Sequence, residues 1–166
     1  MLAFLKKLFQ HHTLNAALDW QKAGFQPGKL YWMYAAPVHL VLQRDSFSLA
    51  APVPLPLESD EINALTIELN KHFAADRCQF FWHEKQWFLQ LDTNPNIQTH
   101  APEAALNENI SAFLPTGAGA IKWASFTNEI QMLLFEHAVN QVREAKSLPI
   151  INSIWCYGGG QIQDAN

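Results

Sequence analysis

The stretch LPIINSIWCYGGG at 148–160 decides how this chain is read. On an alternating strand Ile150, Ile154 and Cys156 share a face with Asn152, while Ile151, Trp155 and Tyr157 share the other with Ser153. A strand apolar on both faces is covered on both sides, so the stretch predicts a central last strand. A buried amide without partners costs about 1–3 kcal/mol. Asn152 is therefore expected to be hydrogen-bonded, either tying the preceding helix to the strand or lining a site. Three glycines in a row suggest a phosphate loop, but such a loop leads into a helix whose N-terminus meets the anion. Only QIQDAN follows Gly160. The glycines read instead as a strand end or as a place of close backbone approach.

Upstream of this strand a long helix is predicted from Ala118, with Trp123, Phe126, Ile130, Leu133 and Leu134 as its core stripe. It continues, or bends, through HAVNQVREAK at 137–146. Before it, residues 93–117 are polar, contain three prolines and read mostly as loop; a loop of that length is often functional or mobile. CQFFWH and QWFLQLD pair as a hairpin around Glu84–Lys85, the second strand having one more exposed face. Ser59 caps a helix whose core stripe is Ile62, Leu65, Leu69 and Phe73. PVPLPLES, at 52–59, is too rich in proline for a central strand and connects. PVHLVLQ at 37–43 and SFSLA at 46–50 form a hairpin turning at Arg44–Asp45. LNAALDWQKAG at 14–24 is a short helix that stops at Gly24.

The element order is thus α-α-β-β-α-β-β-α-β. The expected fold class is α+β: an antiparallel sheet of about five strands with two long helices packed on one face, preceded by N-terminal helices. Residues 1–30 are read as an N-terminal helical segment and 31–166 as the main α+β domain. The first helix, MLAFLKKLFQHH, places Leu2, Leu5 and Phe9 on one side. It suits docking on the domain, a partner helix or a membrane surface, and it is too short and too charged for a targeting signal or a span.

Composition narrows the function. Apolar residues reach 49% and charged residues only 16%, with eleven Phe and six Trp, as in a folded domain with a filled core. The net charge is -4 and no basic cluster exceeds Lys6–Lys7, so no nucleic-acid footprint is present. Cys78 and Cys156 lie apart, with no CxxC spacing, and predict neither a disulfide framework nor a zinc site. A reducing cytoplasm suits them. There is no GxSxG, no HExxH and no cysteine beside a base; no catalytic residue, metal ligand or cofactor is assigned.

The polar residues of the last third form the candidate group. His137, Asn140 and Arg143 are three apart and share a helix edge; Asn128, Asn152 and Trp155 flank them. An arginine with amides and an imidazole suits a carboxylate or phosphate; from spacing alone the favoured reading is a solvated edge with Arg143 paired to an acid.

PVHLVLQRDSFSL at 37–49, ALTIELNKHF at 64–73 and NEIQMLLFEHAVNQVREAKSLPIINSIWCYGGG at 128–160 resemble the RpfE-type bacterial regulatory protein family. That family is similar to the inserted domain of archaeal-type cofactor-independent phosphoglycerate mutases, in which a helix, HPVN, Arg, Pro-x-N-x-x-W and glycines recur. His137, Val139, Asn140, Arg143, Pro149, Asn152, Trp155, Gly158 and Gly160 stand on that pattern, and Ala138 replaces its proline. The metal-dependent catalytic core of those enzymes has no counterpart in these 166 residues. The resemblance therefore implies a non-catalytic regulatory or binding protein, recognising a protein partner or a small phosphorylated or carboxylated metabolite. The alternative is a mutase-like enzyme, or a subunit whose partner supplies the metal site.

Overall fold

The computed structural model describes residues 14–163; the first predicted helix lies outside them. The chain runs α1 (Ala16–Lys22), β1 (Tyr31–Leu42), β2 (Phe47–Ala50), α2 (Ser59–His72), β3 (Cys78–His83), β4 (Gln86–Leu91), α3 (Ala120–Phe135), α4 (Ala138–Ala145) and β5 (Ser153–Gly160). All strand pairings are antiparallel. The order is β2-β1-β4-β3, with β5 also paired to β1. The expected α+β class, with five antiparallel strands and helices on the sheet, is what the chain adopts.

β1 organises the sheet. It begins six residues earlier than the alternation at 37–43 suggests, because YWMYAA at 31–36 is apolar on both faces and carries no period-two signal. Its first part pairs with β4 up to Ala35↔Trp87 and its last part with β2 from His39↔Ala50. Pro37, which lacks an N–H, falls between these two ladders, and its carbonyl accepts from the Leu55 amide at 2.8 Å.

Both faces of the sheet are covered. On one, α2 and α3 bring Leu65, Leu69, Trp123, Ile130 and Leu134 onto Met33, Phe80, Trp87, Leu89, Ile154 and Cys156. On the other, Trp20 of α1 lies over Trp32 and Phe88, with ring centroids at 4.9 and 5.0 Å. The face of β4 expected to be more exposed is thus closed by α1, and Phe88 is buried. The segment 93–117 is also a packed layer. Its two short 3-10 turns, Pro102–Ala105 and Ile110–Phe113, set Ala105, Ile110 and Phe113 on Val38, Leu40, Leu49 and Trp155. Bridges Ser48↔Asn109 and Leu49↔Leu106 fasten it to β2.

Helix boundaries differ in detail from the sequence reading. α2 starts one residue after its N-cap Glu58, whose amide donates to Glu61 Oε1 at 2.9 Å, so Ser59 is the first helical residue and not the cap. α3 starts at Ala120, after Gly119, where a Cβ would strike the Pro95 carbonyl. The long helix bends: His137 is extended, and its Nδ1 accepts from the Val139 amide at 3.1 Å to cap α4. A histidine cap replaces the helix-start signal that proline would give.

The glycines are explained by approach. A Cβ on Gly158 would enter the Tyr34 ring, on Gly159 the Tyr31 ring, and on Gly160 the Asn15 side chain; Gly158 also has φ +63. β5 ends where side chains from β1 and the N-cap of α1 lie directly on its backbone. The Tyr34 hydroxyl donates to the Asp19 carboxylate, joining α1 to β1.

Cys156 is a core group, and Cys78 is half-buried against the same core. Burial, with Asp76 adding, pushes Cys78 up to about 11; burial, with Cys78 adding, pushes Cys156 up to about 12. Tyr31, Tyr34 and Tyr157 are raised by burial too. Each group holds its proton more tightly folded than unfolded. Their contribution is therefore complete below the ordinary thiol value of 9.0 and is lost as pH rises through the folded values. Urea midpoints measured from about pH 8 to about pH 11 should fall continuously, and a flat profile would contradict these environments.

Candidate functional site

The six candidate residues do not form one group. Asn128 is exposed on the outer side of α3. Trp155 lies on the α1 side of the sheet, where its indole N–H donates to the His100 carbonyl at 2.8 Å; it borders a small cavity of about 60 Å³ with His100, Phe113 and Gln131. His137 caps α4. Asn140, Arg143 and Asn152 come together around one segment, residues 149–152.

That segment is neither helix nor strand, and Ile151 within it is fully buried. Its backbone groups need partners that no ladder supplies, and side chains provide them. Arg143 Nε donates to the Pro149 carbonyl at 2.7 Å. His39 Nδ1 lies 2.9 Å from the Ile150 carbonyl, so that nitrogen carries the proton. Asn140 Oδ1 accepts from the Ile151 amide at 2.8 Å while its Nδ2 donates to the Ile151 carbonyl at 2.7 Å and to the Leu134 carbonyl at 2.9 Å. Asn152 does the same to β1: Oδ1 accepts from the Leu40 amide at 2.7 Å and Nδ2 donates to the Leu40 carbonyl at 2.8 Å.

A primary amide carries one acceptor and one donor group in the spacing of a peptide, so it continues a ladder where backbone cannot. Asn70 of α2 repeats the device on β3, binding both the N–H and C=O of Phe80 at 2.7 and 3.0 Å. This also corrects the alternation read through Asn152. β5 pairs from Ser153 and, among the described residues, with β1 alone, so it is a covered edge strand and not the central strand expected, and Ile151 lies in the same core as Ile154 and Cys156 instead of opposite them.

Arg143 is paired to an acid, as spacing suggested, but the pair is buried and not on a solvated edge. Its Nη1 meets both Glu61 oxygens at 2.9 Å, with side-chain exposures of 6% and 14%, so the pair is largely closed to water. By its position alone Glu61 is an acid in the first turn of α2, where it suits the dipole. A contact spanning 82 residues leaves no trace in local spacing.

Two further surfaces are open. A cleft of about 590 Å³ lies between the β3 and β4 ends and the start of α3, floored by Trp123 and Phe126 and rimmed by Arg77, Asp92, Asn96 and Lys122. Its size is that of a small-molecule site. The other surface is the outer face of α3, where Ile121, Met132 and Phe135 are 87%, 75% and 77% exposed. Among the described residues, no helix is long and apolar enough to cross a membrane. Nor are three or more His, Cys, Asp or Glu grouped there to hold a metal ion.

No family model matches the chain, and no curated protein matches it in sequence. Among solved structures it is similar to the cofactor-independent phosphoglycerate mutase from Thermoplasma acidophilum DSM 1728, with a TM-score of 0.56 and 14% identity. The likeness covers 82% of this chain and 38% of that one. At this identity it is a likeness of fold, to a part of the mutase well short of its full length.

Proposed function

We propose that the chain is a non-catalytic binding protein of regulatory type, and that it meets another protein through the outer face of α3. The observation that carries this reading is that α3 is apolar on both sides. Trp123, Ile130 and Leu134 fill the core, yet Ile121, Met132 and Phe135 point outward and are three-quarters or more exposed. Large exposed apolar side chains along one face mark an interaction surface. The resemblance to RpfE-type regulatory proteins, and to the domain inserted in phosphoglycerate mutases, supports the same role: an inserted domain contributes recognition while the metal core lies elsewhere.

A small anionic metabolite is the weaker ligand. The donors of Asn140 and Asn152, and the Nε and Nη1 donors of Arg143, are directed at the chain's own carbonyls and at Glu61. The cleft beside α3 sets Asp76, Asp92 and Glu129 against Arg77 and Lys122, a balance unfavourable to an anion. The second reading, a mutase-like enzyme or enzyme subunit, draws on the fold likeness alone.

A photo-crosslinking amino acid placed at Met132 and activated in cells tests the proposal. Intermolecular adducts at this position, reproduced with the purified partner, are the expected result. Absence of any intermolecular adduct would overturn it. Interconversion of 2- and 3-phosphoglycerate by the purified chain with a divalent cation would replace it with the enzyme reading.

A further inference from the structure

We infer that the occupant of the α3 face is a second copy of this chain, the two α3 helices packing antiparallel about a two-fold axis at Asn128. The inference rests on the reading of α3 as a contact surface and names its partner. Ile121, Ser125, Asn128, Met132 and Phe135 are all exposed and follow one another at alternating steps of four and three. That spacing keeps them on a single narrow seam, as in helices that pack side by side.

The seam is complementary to itself. Asn128 stands at its centre, seven residues from Ile121 and seven from Phe135. In an antiparallel pair turned about Asn128, Ile121 of each copy lies level with Phe135 of the other. Met132 lies level with the small Ala124 and beside Ser125, large against small, which lets the helices approach. The two Asn128 amides meet on the axis, where each can donate to the other; one polar pair in an apolar seam selects register and orientation. A C2 contact requires this kind of self-matching, in which one patch serves both copies.

The flanking charges agree with the same register. Lys122, Glu129 and Glu136 are exposed along one flank of the seam, seven residues apart. A two-fold axis perpendicular to both helices brings this flank against its own copy. Lys122 then lies within reach of Glu136 of the second copy, twice over by symmetry. The two Glu129 side chains also approach, and each has His72 at 3.5 Å on its own chain to offset the repulsion. A parallel pair would turn this flank of each copy away from the other, so Lys122 would not meet Glu136 and that attraction would be lost.

Sedimentation equilibrium of the full 166-residue chain over a concentration series tests the proposal. Twice the monomer mass is expected, and Phe135→Glu should return a monomer whose circular dichroism and urea midpoint match the parent. Lys122→Glu should weaken the dimer and Lys122→Glu with Glu136→Lys should restore it. Asn128→Cys should give a disulfide-linked dimer under mild oxidation, with the parent chain, whose Cys156 is buried and Cys78 half-buried away from the seam, as control. A parent that stays monomeric at every concentration overturns the inference, as does a dimer untouched by Phe135→Glu or a failure of Asn128→Cys to cross-link. The crosslinker at Met132 separates this failure from failure of the functional reading. Adducts with a different protein sink the second copy and leave the contact surface standing; no adducts at all sink both.

Discussion

Replacing Arg143 by alanine is expected to cost about 3–5 kcal/mol of folding stability, the range found when one member of a buried ion pair is removed. The change leaves the Glu61 carboxylate, 14% exposed, without its counter-charge. It also leaves the Pro149 carbonyl without its 2.7 Å donor. At about 2–4 °C per kcal/mol for a chain of this size, the thermal midpoint should drop by roughly 10 °C or more. The pair need not be a large net gain, since taking two charges out of water offsets much of their attraction. Glu61→Ala together with Arg143→Ala should therefore cost clearly less than the two single changes added, and a double-mutant cycle in urea measures the difference. Strict additivity would mean that the two side chains do not act as a pair in solution. A ligand-binding arginine gives a different result: loss of ligand affinity with the urea midpoint nearly unchanged.

The second large effect is expected at Asn140, which is 3% exposed. Alanine removes three hydrogen bonds at once and strands the Ile151 amide and carbonyl, while the Leu134 carbonyl keeps the His137 amide at 3.1 Å. With about 1–3 kcal/mol for each of the two buried groups left unpaired, the loss should be about 2–6 kcal/mol. Aspartate is the sharper test because it is nearly isosteric. Its oxygens can still accept from Ile151, but it sets a carboxylate against two carbonyls and has no donor for them. Asn140→Asp should thus be at least as damaging as Asn140→Ala. An Asp variant as stable as the parent would show that the amide nitrogen contributes nothing.

These expectations bear on what could be read from residues alone. The strands with a clean alternation, 38–42 and 86–91, were legible because one period describes them. So was α2, whose apolar residues recur at helical spacing above an acidic first turn. The first half of β1 was not, because YWMYAA is apolar at every position and two-sided burial erases the period. Closure of the 93–117 segment onto β2 and Trp155 was equally hidden. Its contacts are single bridges and 3-10 turns contributed by Ala105, Ile110 and Phe113, too few and too irregular for any pattern.

The candidate group shows the same boundary. Helical spacing placed His137, Asn140 and Arg143 on one edge, and burial arithmetic required Asn152 to be bonded. Neither could say to what. The partners are Glu61, Leu40, Leu134 and the backbone of 149–151, which lie on other elements or beyond the end of the helix. Donors that suit a carboxylate or phosphate are the same donors that suit a peptide carbonyl. Residue type therefore left both readings open until the geometry was known.

The sequence by itself determined the class of fold, the composition of its core and the presence of a last strand within LPIINSIWCYGGG, because hydrophobic burial writes itself locally as period and bulk. Only the tertiary structure decided that the glycines seat Tyr34, Tyr31 and Asn15, that Arg143 faces Glu61, and that α3 keeps Ile121, Met132 and Phe135 outside. Each of those depends on which distant surfaces meet, and the energy of such a meeting has no signature in the order of neighbouring residues.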